Sequence, residues 1–263
     1  GVAISDGVSI VVKNMKKMSE GFKYTYINNG KKSYKHVKNP GESLMPLDPK
    51  DIDVVNKIDK FIEENNLSYL HNRVLSQKFF GIESNFIESN KDKSILLEDA
   101  KTINYETQIK LFTNDKAGKA GRSRWFVVNK DLFTKNKKFI DEWQVIVSSA
   151  NAGGQKRDNQ ISIIDNHSAF GRSRVALGTF KTKEEAQNFY KYCNSMIIKY
   201  TFLMTDENLS SLAKRVPDLL NYNDDNNYID FSKNVDKQLK RIIGLDNKEY
   251  EHIINKVKNI RSK

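Results

Sequence analysis

The chain has 263 residues, 38% hydrophobic and 29% charged, enough apolar material for a buried core and too much for global disorder; its length suits one large domain or two small ones. Its apolar runs, such as Val8 to Val12 and Ile161 to Ile164, fall far short of the roughly 20 residues of a membrane-spanning helix, no signal peptide is visible where Gly1 opens onto a strand-like pattern, and the single cysteine, Cys193, excludes an intrachain disulfide or a cysteine-based zinc site. A formal net charge of +11 points to an anionic partner, with nucleic acid the natural candidate, and the cysteine usage fits a reducing, cytoplasmic setting. AT-rich codon usage writes the same Lys-, Asn- and Ile-rich composition, so the distribution of the basic residues has to decide.

In chain order, residues 2–12 and Phe22 to Asn28 are rich in β-branched and aromatic side chains and predict two strands, separated by a turn-prone stretch from Asn14 to Gly21. Asn28 to Pro49 gathers glycines, prolines and lysines without a regular period and reads as a connector. From Asp51 the spacing of Val54, Val55, Ile58, Phe61 and Ile62, with an acidic first turn, predicts a helix ending near Asn65 and Asn66. The pattern then blurs until a series of short β-like runs: Tyr105 to Phe112, Trp125 to Val128, Trp143 to Ser148, Ile161 to Asp165 and Val175 to Phe180. Thr182 and Glu185 form a capping-box signature, and one apolar face from Ala186 to Tyr200 predicts a single helix over Lys183 to Met204. A shorter helix is expected over Glu207 to Lys214, then an irregular Asn- and Asp-rich run to Asn227. Two last helices are expected over Lys233 to Ile243, closed by Gly244, and over Lys248 to Ile260, opened by Asp246.

The tetrapeptide Gly-Arg-Ser-Arg occurs at 121–124 and again at 171–174, each time just before an apolar β-like run. Arginine's planar fork donates two parallel hydrogen bonds to a phosphate or to guanine O6 and N7, and Gly and Ser let a backbone approach closely. The region is thickened by Lys116, Lys119, Lys156 and Arg157, and the loop from Asn151 to Gln160, including Gln155, adds amides of the type that pair with adenine. Solvated loop ends would have the same composition, and both readings stay open at this point.

Groups for catalysis are sparse. The histidines at 36, 71, 167 and 252 lack ligand-like spacing, and neither a phosphate-binding loop nor a dinucleotide-binding glycine turn is present. Asp131 with Glu142 and Gln144 is the nearest thing to a nuclease carboxylate pattern, in degenerate form, and a plain strand start beside Trp143 is the preferred reading of it.

The order of segments is similar to a known family. Trp143 to Ala150 (WQVIVSSA), a glycine loop, and then Leu177 to Met204 resemble the C-terminal region of type II N6-adenine DNA methyltransferases, including forms fused to a nuclease. The resemblance rests on Gly178, Thr179, Phe180, Glu184, Glu185, Ala186, Asn188, Phe189, Tyr190, Lys191 and Tyr192, and continues through Val216, Pro217, Asp218, Gly244 and Leu245. Near the beginning, Ile4 to Ile10 is similar to the strand that follows the family's catalytic core. The family's Asn/Asp-Pro-Pro-Tyr/Phe motif is absent, Asn39-Pro40-Gly41 being the closest string, as is the loop that binds S-adenosylmethionine; both are expected upstream of Gly1. The resemblance therefore implies target recognition rather than methyl transfer.

Together these readings give an α+β fold: a strand segment and connector over 1–45, a mixed target-recognition domain over 46–180, and a helical part over 181–263. The expected function is sequence-specific binding of double-stranded DNA, with Lys116, Lys119, Arg122, Ser123, Arg124, Asn151, Gln155, Lys156, Arg157, Arg172, Ser173 and Arg174 in contact. No catalytic residue, metal or membrane is expected, and the implied partner is a methyltransferase domain of the same parent protein, carrying S-adenosylmethionine. The alternatives are a stand-alone metal-dependent nuclease and a protein-interaction module docking through its helical end.

Overall fold

The computed structural model describes residues 10, 12, 21–28, 30–38, 46, 48–149, 161–204 and 212–261, the side chains of 28 and 259–261 excepted. The fold is α+β, and the chain divides into two compact units, residues 1–55 and residues 56–263. Among the described residues no helix is long and apolar enough to cross a membrane.

The first unit contains an antiparallel hairpin, β1 (Gly21–Asn28) and β2 (Lys31–Lys38), in which Gly21 faces Lys38 and Asn28 faces Lys31. The second strand corrects the reading of 28–49 as an unpatterned connector. Its polar residues fall on both faces, so the alternation that normally betrays a half-buried strand is missing. The signal that was present is Asn29-Gly30, a hairpin-turn pair, with Gly30 at φ +75°. The strand expected over 2–12 lies outside the described residues apart from Ile10 and Val12. Helix α1 (Asp51–Glu64) buries Val54, Val55, Ile58, Phe61 and Ile62 as their spacing predicts. It stops where Asn66 turns left-handed at φ 50°.

The chain continues through β3 (Ser68–Tyr69), the short α2 (Phe86–Ser89), β4 (Ser94–Leu96), β5 (Gln108–Asn114), β6 (Ser123–Asn129), β7 (Trp143–Ser148), β8 (Ser162–Ile164), β9 (Ser168–Phe170) and β10 (Arg174–Phe180). Two sheets result. One has the order β4-β6-β5-β9, the other β10-β7-β8. All pairings in them are antiparallel except β5 with β9, and β9 is a strand the sequence reading passed over because it is only three residues long.

The two sheets share one core of Ile109, Leu111, Phe126, Val128, Ile146, Ile164 and Ala176. Phe80, Ile82, Ile87 and Phe133 complete it, drawn from stretches that turn too often to show a period. Gln144 joins the sheets: fully buried on β7, its side-chain amide donates to the carbonyl of Ser168 on β9 at 2.9 Å and to that of Phe139 at 3.1 Å. Its nitrogen satisfies two carbonyls, each of which would otherwise cost on the order of 1–3 kcal/mol, while its own Oε1 is buried with no hydrogen-bond partner among the described residues.

Helix α3 (Lys183–Asn194) carries the expected capping box, the Thr182 hydroxyl accepting from the Glu185 amide while the Glu185 carboxylate accepts from the Thr182 amide. It packs against β7, β8 and β10 with Phe189 and Cys193 fully buried. The single helix expected to Met204 is in fact two. Ser195 breaks it in an extended conformation (φ −64°, ψ 153°) and caps α4 (Met196–Leu203) by accepting from the Ile198 amide. Apolar periodicity persists across the break, which is why the sequence reads as continuous.

Most of the helix expected over Glu207 to Lys214 lies outside the described residues, and Leu212 to Lys214 form a turn with Ala213 at φ 61°. β11 (Pro217–Asp218) then pairs with β3. The last helices are α5 (Val235–Ile243), capped by Asn234 and closed by Gly244 at φ 74°, and α6 (Asn247–Arg261). The segments that carry the family resemblance fall largely inside: Phe180, Phe189, Tyr192, Val216 and Asp218 are all buried. Tyr192 donates to the Pro217 carbonyl at 2.6 Å, and Asp218 accepts from Arg73 at 2.9 Å and from Tyr222 at 3.0 Å.

Candidate nucleic-acid interface

Strand direction decides where the basic segments go. β5, β7 and β9 end, and β6 and β10 begin, at one end of the two sheets, because β5 runs parallel to β9 and antiparallel to β6, and β7 antiparallel to β10. The β5–β6 loop, the turn from β9 to β10 and the chain leaving β7 therefore emerge side by side.

The two Gly-Arg-Ser-Arg segments meet there. Ser123 Oγ lies 3.1 Å from Ser173 Oγ and donates to Asn114 Oδ1 at 2.8 Å, so Ser173 supplies the proton between the two serines. Ser149 completes the join: its amide donates to the Ser173 carbonyl at 2.9 Å and its hydroxyl to the Arg172 carbonyl at 3.1 Å. Both glycines are required by close approach. A Cβ at Gly121 would run into the Lys116 carbonyl, and one at Gly171 into Thr113 Oγ1.

The four arginines are not equivalent. Arg122 is exposed, its amide held by Asp115 Oδ1 at 2.8 Å. Arg124 and Arg172 are half exposed beside Glu98 at 3.4 Å and Glu83 at 3.6 Å, ion pairs of the surface kind that restrain a side chain more than they stabilise it. Arg174 is different: its guanidinium lies 5.0 Å from the centre of the Phe112 ring, and burial lowers its affinity for the proton. Lys116 and Lys119 are exposed on the β5–β6 loop, which Glu88 anchors by accepting from the Ala117 amide at 2.9 Å. Asn151, Gln155, Lys156 and Arg157 lie outside the described residues.

No family model and no curated protein matches the chain.

What the geometry offers is a set of exposed or half-exposed cations, Lys116, Lys119, Arg122 and Arg172 on the loops and Arg124 at the start of β6, around a hydrogen-bonded serine pair. Fixed backbones with forked donors at their tips suit the reading of an anionic, hydrogen-bonding surface, where preorganisation lowers the cost of binding. Sequence reasoning missed Asn114 and Ser149, which position the loops, and Glu83, Glu88 and Glu98, which tether them. Small polar residues at strand ends give little sequence signal until their partners 9 and 23 residues away are known.

Proposed function

We propose that the chain is a sequence-specific, double-stranded DNA-binding region that recognises the target of a restriction-modification N6-adenine methyltransferase and is not catalytic by itself. The observation that carries the DNA-binding part is the meeting of the two Gly-Arg-Ser-Arg segments at Ser123 and Ser173, which gathers bidentate donors on one rim. The link to methyl transfer rests on the resemblance of Trp143 to Ala150 and Leu177 to Met204. In that reading the S-adenosylmethionine and the methyl-transfer chemistry belong to a catalytic domain of the parent protein, which works on DNA in the cytoplasm. Arg122, Arg124 and Arg172 are the leading base or phosphate contacts, and Arg174, half-buried against the Phe112 ring, is the least accessible of the four.

The test is selection of a preferred duplex from a randomised pool, followed by titrations at several salt concentrations. An arginine that reads a guanine edge costs about 1–3 kcal/mol on replacement by Ala and relaxes preference at one base position. One that contacts phosphate weakens all duplexes alike and reduces the salt slope by about one unit. If Arg122→Ala, Arg124→Ala and Arg172→Ala all leave affinity, preference and slope unchanged, the reading is wrong.

A further inference from the structure

We propose that the outer face of the β1–β2 hairpin is a second nucleic-acid site, one that binds single strands without regard to sequence. Side chains alternate across a strand, so the paired register sorts the hairpin into two faces. One face carries Phe22 with Val37, Tyr24 with Lys35, and Tyr26 with Ser33. It is the more sheltered side: Phe22 is 42% exposed at one end, but Val37 is buried, Ser33 donates to Asp48 at 3.3 Å, and Lys35 is neutralised by an ion pair with Asp53.

The other face carries Lys38, then Lys23 with His36, Thr25 with Tyr34, and Ile27 with Lys32. All seven side chains are exposed, and none is a carboxylate. Tyr34 is 71% exposed and Ile27 60%, values that leave flat apolar surface open between the lysines. Lys23 extends over the Tyr34 ring with its ammonium 4.8 Å from the centroid. A strip about 20 Å long, at roughly 6.8 Å per pair of residues, thus alternates cations with an aromatic ring.

Two features of this face select the ligand. Lysines in a row, with no ion pair to a carboxylate among the described residues, attract a polyanion. The exposed Tyr34 and Ile27 offer stacking and apolar contact, which the bases of an unpaired strand can meet and those of a duplex, already stacked, cannot. The inference does not depend on the rim at Ser123 and Ser173, and the two can fail separately.

The experiment is a titration of the full chain with a short fluorescent oligothymidylate over a range of salt. Tyr34→Ala is expected to weaken binding about tenfold through loss of stacking. Lys23→Ala with Lys32→Ala is expected to reduce the salt slope by about 1.4, at roughly 0.7 per phosphate contact on a single strand. Thr25→Glu, which removes no contact but sets a carboxylate among the lysines, is expected to weaken binding as well. Circular dichroism verifies that the variants stay folded, and the Arg122→Ala, Arg172→Ala double variant, aimed at the other rim, is expected to bind the oligothymidylate as the parent chain does. The proposal is overturned if the three hairpin variants bind like the parent. It is overturned too if duplex DNA displaces the probe more readily than unlabelled oligothymidylate, or if the hairpin variants lose binding only to phosphatidylserine vesicles.

Discussion

Ser123 and Ser173, 50 residues apart, share a hydrogen bond of 3.1 Å between their hydroxyl oxygens, and through it two identical tetrapeptides become one structural unit. Replacing either serine with Ala is expected to cost about 0.5–1.5 kcal/mol, the net worth of an intramolecular hydrogen bond. The double variant should cost less than the sum, since the second substitution removes a partner already lost. Urea denaturation of the four proteins in the cycle measures the difference, and strict additivity would show that the pair does not interact in solution.

Gly171 sits where a side chain has no room. In Gly171→Ala the new Cβ would overlap Thr113 Oγ1 and come within 2.7 Å of Thr113 Cβ, so the turn must shift at a cost of about 1–3 kcal/mol. Adding Thr113→Ala relieves the first overlap and leaves the second, and partial recovery of the denaturation midpoint is expected. At Gly30 nothing among the described residues lies within 4 Å of the Cβ position, and the constraint there is its φ of +75°.

Phe189 is completely buried, tilted against Phe180 and edge-on to Tyr222, with ring centroids 4.9 and 4.7 Å away. Phe189→Ala should destabilise the protein by about 3–5 kcal/mol, the range for opening a large aromatic cavity in a core. A near-neutral result would mean that this face of α3 is not core.

Asp165 gives the protein an acid-sensitive joint. Burial alone would raise its pKa, but hydrogen bonds from Lys110 and Ser168 and the charge of Lys110 hold it below the usual carboxylate value. Because the folded value is the lower one, the stabilisation is present above the unfolded pKa and disappears as pH falls through the folded pKa. Asp165→Asn should therefore cost about 1–2 kcal/mol at pH 7, and its stability should depend less on pH than the parent's below about pH 4. Parallel pH profiles of the urea midpoint that keep a constant gap would count against it.

The elements with strong periodicity were legible from the residues alone: α1, α3, α5 and α6, and the strands around Trp125, Trp143 and Val175. Three kinds of feature were not. β2 hides behind lysines on both faces, β9 is too short to alternate, and the Ser195 break leaves the apolar stripe intact. The candidate rim was half legible. Both Gly-Arg-Ser-Arg segments stood out as composition, but their contact depends on β5 and β9 being parallel neighbours, a long-range pairing that no local pattern specifies. Arg174 shows the same limit from the other side, since only the position of Phe112 distinguishes it from Arg172.

Gln144 fixes something more than two carbonyls. Of its two acceptors, Phe139 precedes β7 on the same stretch of chain while Ser168 belongs to the other sheet, so a shift of one sheet past the other would part this amide from Ser168 and take a donor from a buried carbonyl. The two sheets that carry the loops are thus tied to each other at the far end as well, by a residue that none of the loops contains.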